Sequence, residues 1–143
     1  MGSDILINVG GKEFQGHKFM LMVRSPVLTA MFSHDMIEKK TNEISIPDIT
    51  PEIFEKILEY FYTDEITDLD AYAECLLKAA DKYQIQSLKD ICQESLSKTL
   101  TVENSLKMID TANLYNANEL LAFTNDFIAS NIKNFTNTST IIN

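Results

Sequence analysis

Two histidines, two cysteines and 21 acidic residues are the groups in this 143-residue chain that could carry chemistry. His17 and His34 stand 17 residues apart, with no cysteine near either. A structural zinc site needs four ligands at close spacing, so this pair builds none. Cys75 or Cys92 could act as a nucleophile only as a thiolate with a base beside it. Each falls within a helical apolar pattern, which predicts a small buried core residue instead. The Asp and Glu side chains are spread over helix faces, and no pair is spaced for acid–base work. Residues Gly11 to Lys18 carry two glycines and a lysine, the ingredients of a phosphate-binding loop. That loop needs Lys directly after the second Gly and then Ser or Thr for magnesium; here His17 intervenes and Phe19 takes the hydroxyl position. The inventory predicts no catalytic residue, no metal and no cofactor.

Composition narrows the partners. Twelve basic against 21 acidic residues give a formal charge of −9, which opposes binding to phosphate-rich nucleic acid or to an anionic membrane surface. No apolar run reaches the roughly 18 residues a membrane-spanning helix requires. Met1-Gly2-Ser3-Asp4 has neither the basic nor the apolar region of a secretory signal. Gly2 lacks the Ser or Thr at position 6 that myristoylation favours, since Leu6 stands there. Two separated cysteines suit a reducing compartment. The acceptor tripeptides at Asn134 and Asn137 then read as part of a polar tail.

The elements that would position any site follow from periodicity. Ile5, Leu6, Ile7 and Val9 predict a strand over 4–9. Gly10-Gly11 predicts a hairpin turn, and 12–15 the returning strand with Phe14 inward. Lys18 to Val23 predicts a short buried helix. Ser25-Pro26 predicts a capped helix to about Phe32, with Pro at the first position, where its missing N–H costs nothing. A polar connection over 33–42 leads to a third strand at 43–46. Thr50-Pro51 opens another helix through Ile53, Ile57, Leu58 and Phe61. A loop follows, with a short strand at Ile66. Helices are then expected at 71–82, 84–98, 102–114 (capped by Thr101) and 117–131. A small sheet with many helices is α+β.

These residues also carry a resemblance. Phe14-Gln15-Gly16-His17-Lys18, Leu21, Arg24-Ser25-Pro26-Val27 and Ala30-Met31-Phe32 resemble the BTB/POZ signature. The pattern continues through Asp48-Ile49, Pro51-Glu52-Ile53-Phe54, Phe61-Tyr62-Thr63, Ala79-Ala80-Asp81-Lys82-Tyr83, Leu88 and Cys92. Gly16 replaces the usual alanine and Leu28 the usual phenylalanine. The run Met31 to Lys40 is most similar to the speckle-type POZ proteins, which carry a MATH domain outside this chain. Ile7-Asn8-Val9-Gly10-Gly11 also resembles potassium-channel tetramerisation domains, but those lack the His-Lys pair.

The resemblance implies a protein-binding module, not an enzyme: a dimerising adaptor that recruits cullin-3 in the nucleus, the cytoplasm or both. It implies a cullin contact at Met36 and Glu38, the hydrophobic-x-Glu element, with Phe32, His34, Asp35 and Tyr62 beside it. It implies a homodimer face at Phe19, Met20 and Val23. Gly2-Ser3 reads as a vector-derived remnant at 1–3 and the Asn- and Thr-rich end as a flexible tail at 133–143; between them the resemblance implies the BTB/POZ domain at 4–98 and a helical cullin-binding extension at 99–132. The upstream helix that family dimers also use is not in this sequence, which weakens the expected dimer. The other reading of the same resemblance is the self-association module of a transcriptional regulator.

Overall fold

The computed structural model describes residues 2–34 and 42–133. Its α+β architecture has ten elements in chain order among these residues. They are β1 (Ile5–Val9), β2 (Lys12–Gly16), α1 (Lys18–Arg24), α2 (Pro26–His34), β3 (Glu43–Ile46), α3 (Pro51–Thr63), α4 (Leu69–Lys82), α5 (Gln86–Lys98), α6 (Ser105–Leu114) and α7 (Asn118–Ser130).

The sheet is mixed, in the order β2-β1-β3. β1 pairs antiparallel with β2, Val9 opposite Lys12, and parallel with β3, Leu6 opposite Glu43. Gly10 and Gly11 both take positive φ, 54° and 87°, as a two-residue primed turn demands and as non-glycine residues resist. Gly10 also lets the turn approach α3, since a Cβ there would meet Pro51 Cδ at 3.1 Å. Ile5, Ile7 and Val9 point into the core with Ile44 and Ile46, the period of two expected of a half-buried sheet. Phe14 packs edge-on against Phe54, centroids 5.1 Å apart.

Capping follows the sequence where the signal is local. Ser25 Oγ accepts the Leu28 N–H at 3.1 Å and donates to the Tyr83 carbonyl at 2.6 Å. Thr50 Oγ1 accepts the Ile53 N–H at 3.3 Å ahead of Pro51. The α6 start differs from expectation. Thr101 and Asn104 bond reciprocally, each backbone N–H to the other's side chain. They close a turn first, and the helix begins only at Ser105. Ile66 lies in an irregular connection rather than a strand, between Asp64 and Asp68, both at positive φ.

One apolar cluster runs through the molecule. It takes in the sheet, Phe54 and Phe61 of α3, Leu76 and Leu77 of α4, Leu88 and Cys92 of α5, and Met108, Ala112, Ala117 and Leu120 from the last two helices and their turn. α4 packs along α5, α6 along α7, and α7 against α5. Cys92 is buried as expected, and burial pushes its thiol up to about 12. Cys75 departs from expectation and is exposed. The buried stripe of α4 is Ala73, Leu76, Leu77 and Ala80, and position 75 falls on the far side of that stripe at about 100° per residue.

Candidate interaction surfaces

α1 is too short to hide all its apolar side chains. Leu21 is its one fully buried residue. Phe19 and Val23, one turn apart on the opposite face, are 78% and 64% exposed, and Met20 is half-buried between the two environments. The helix expected to be buried therefore turns an apolar face outward. That face borders an open cleft of about 620 Å³, completed by Arg24, Gln84, Gln86 and Ser87. Gln84, at φ 54°, belongs to the turn between α4 and α5. The sequence contains no local signal for Gln84, Gln86 and Ser87, because the turn before α5 and the first residues of that helix fold back beside α1.

Several bonds hold α1 in this pose. The Arg24 guanidinium donates to the Phe61 carbonyl at 3.1 Å and to Asp64 Oδ1 at 2.7 Å, and lies over the Tyr60 ring. Asp64 is the left-handed C-cap of α3. Arg24 thus ties the end of α1 to the end of α3, while Ser25 ties it to the end of α4.

Tyr62, at the end of α3, is 43% exposed. Its hydroxyl oxygen accepts the His17 backbone N–H at 3.1 Å and lies 2.9 Å from His17 Nδ1. The two rings meet edge-on at 5.8 Å. These contacts hold the ring in place while it remains partly exposed. Phe32 sits in the core, 5% exposed, so its ring supports the surface from beneath and is not part of it. His34 is the last residue of α2. Asp35, Met36 and Glu38 lie outside the described residues.

Among the described residues, no three His, Cys, Asp or Glu side chains converge as metal ligands, and no helix is long and apolar enough to cross a membrane.

The BTB/POZ domain family model matches residues 2–100. The chain is also similar to the solved BTB domain of zebrafish PATZ1, at 28% identity over 67% of this chain and 76% of that one, with a TM-score of 0.59. This chain belongs to the BTB/POZ family of protein-interaction domains, and its α+β fold is the BTB fold.

Proposed function

We propose that this chain is a self-associating BTB module that also recruits cullin-3, with a substrate-binding domain elsewhere in the full protein. The observation that carries the self-association is the apolar face of α1. Phe19 and Val23 together present more apolar surface than a seven-residue helix needs to leave in water, beside a cleft open to a second copy. A second chain docking α1 against α1 would cover both side chains.

Recruitment of cullin-3 is supported by Met36-Ile37-Glu38 in the sequence and by Tyr62, whose exposed ring is held rigid by His17. A Met with a Glu two residues on suits a partner pocket rimmed by a base. Helices α6 and α7, packed on the BTB core, are the proposed extension of that surface, and the division at residue 98 is retained as part of the proposal. The likeness to speckle-type POZ proteins rests on the segment Met31 to Lys40, most of which lies outside the described residues. Nuclear or cytoplasmic location follows from the cullin reading alone.

The test combines light scattering with binding to the N-terminal domain of cullin-3. Met36→Asp with Glu38→Lys is expected to weaken cullin-3 binding at least about ten-fold, as for central contacts of an interface, with the self-associated mass unchanged. If the wild-type chain self-associates but binds no cullin-3, the transcriptional-regulator reading replaces this one.

A further inference from the structure

A second cleft, of about 360 Å³, opens between α5 and α7 and shares no residue with the one beside α1. Asp90, Gln93 and Glu94 line it from α5; Glu119, Leu120 and Phe123 line it from α7. Of the three carboxylates that line it, Glu94 pairs with Lys98 of its own helix at 3.4 Å, both side chains well exposed. Among the described residues, Asp90 accepts a neutral amide N–H, from Gln86 at 2.8 Å.

Gln93 is the informative residue, because it is 5% exposed yet lines the cleft. Its Oε1 accepts the Leu120 N–H at 2.9 Å, which fixes the orientation of the amide. Nε2 then carries two N–H groups. One reaches Glu119 Oε1 only at 3.5 Å, and the other has no acceptor among the described residues. A buried N–H of this kind is satisfied by water or by a carbonyl of a docked segment. Phe123, 48% exposed, offers a flat apolar wall on the same side.

We propose that this cleft docks an arginine of a partner polypeptide. The guanidinium pairs with Asp90 and Glu119 and stacks on Phe123, and a main-chain carbonyl of the same segment accepts from Gln93 Nε2. Arginine fits better than lysine because its planar fork binds carboxylates in two places and lies flat on an aromatic ring, whereas an ammonium does neither. A metal ion is a poor occupant, since these carboxylates do not converge to a ligand cluster. The proposal is independent of cullin-3 recruitment and of the α1 face.

The experiment is an NMR titration of the full isotope-labelled chain with the capped tripeptide Ala-Arg-Ala and, separately, Ala-Lys-Ala. Saturable shifts at the Gln93 side-chain amide, Leu120 and Phe123 are expected with the arginine peptide, and weaker ones with lysine. Asp90→Asn with Glu119→Gln should reduce the arginine affinity by about five-fold or more, in line with two exposed charge contacts. Glu13→Gln with Glu55→Gln removes the same charge elsewhere and should leave it unchanged. Shifts spread over the whole acidic surface, equal response to the two peptides, or equal loss in both double variants would overturn the proposal.

Discussion

Cys92 and Cys75 are chemically identical and physically opposite. The Cys92 thiol lies in the core, and burial raises it from 9.0 to about 12. At mildly alkaline pH it stays protonated and out of reach, while Cys75 faces solvent. Iodoacetamide at about pH 8 should therefore add one adduct to the native chain and two after denaturation, as read by intact mass. A pH dependence follows with a definite sign. The folded state keeps its proton where the unfolded chain releases it, so the stability tied to Cys92 is fully present below pH 9 and drains away as pH rises toward 12. The loss of urea resistance between about pH 8 and pH 10.5 should be shallower in Cys92→Ala than in the parent chain. Ser25 shows the other kind of single-residue dependence. Its hydroxyl caps α2 and bonds the Tyr83 carbonyl with no exposure to water. Ser25→Ala leaves both groups short of a partner and should cost about 1–3 kcal/mol in urea unfolding.

Elements whose boundary signals are local were legible in the sequence. Ser25-Pro26 and Thr50-Pro51 cap the helices they open because a capping bond spans three residues and needs nothing else. The glycine pair sets the hairpin for the same reason. Misplaced boundaries had competing partners nearby. Asn104 answers Thr101 and delays α6, and Gln84 and Ile85 leave the helical region before α5 begins. Contacts made across the fold were not legible. The N-cap position of α7 is Ala117, which has no side chain to spare, so the cap comes from Gln93 of α5 instead. No reading of residues 117–131 could supply that. Gln93→Leu should cost about 1–3 kcal/mol by stranding the Leu120 N–H, and amide exchange should quicken through the first turn of α7 more than in α4. The same distinction governs the surfaces. The apolar run from Lys18 to Val23 predicts a buried helix, and only the family resemblance marks Phe19, Met20 and Val23 as a contact face, whereas Gln84, Gln86 and Ser87 join them through tertiary packing.

At the scale of the whole molecule, the last two helices and the BTB core form one cluster, since Met108, Ala112, Ala117 and Leu120 are buried with residues of the sheet and of α3 to α5. A chain ending at Lys98 should melt lower by about 10 °C or more in differential scanning calorimetry, because several buried side chains lose their cover together. The apolar face of α1 behaves differently, as it can be altered without touching that core. Phe19→Asp with Val23→Asp should shift the light-scattering mass to that of a single chain while the melting temperature of the monomer holds within a few degrees, about the effect expected of exposed substitutions. The parallel pairing of β1 with β3 bears on how the chain emerges during translation. The hairpin can snap shut as soon as it leaves the ribosome, but its inner strand keeps one side bare until the whole of α1, α2 and the stretch beyond has been made. Through that interval the nascent chain displays an unpaired strand edge, and a translational pause there is when it most needs a chaperone.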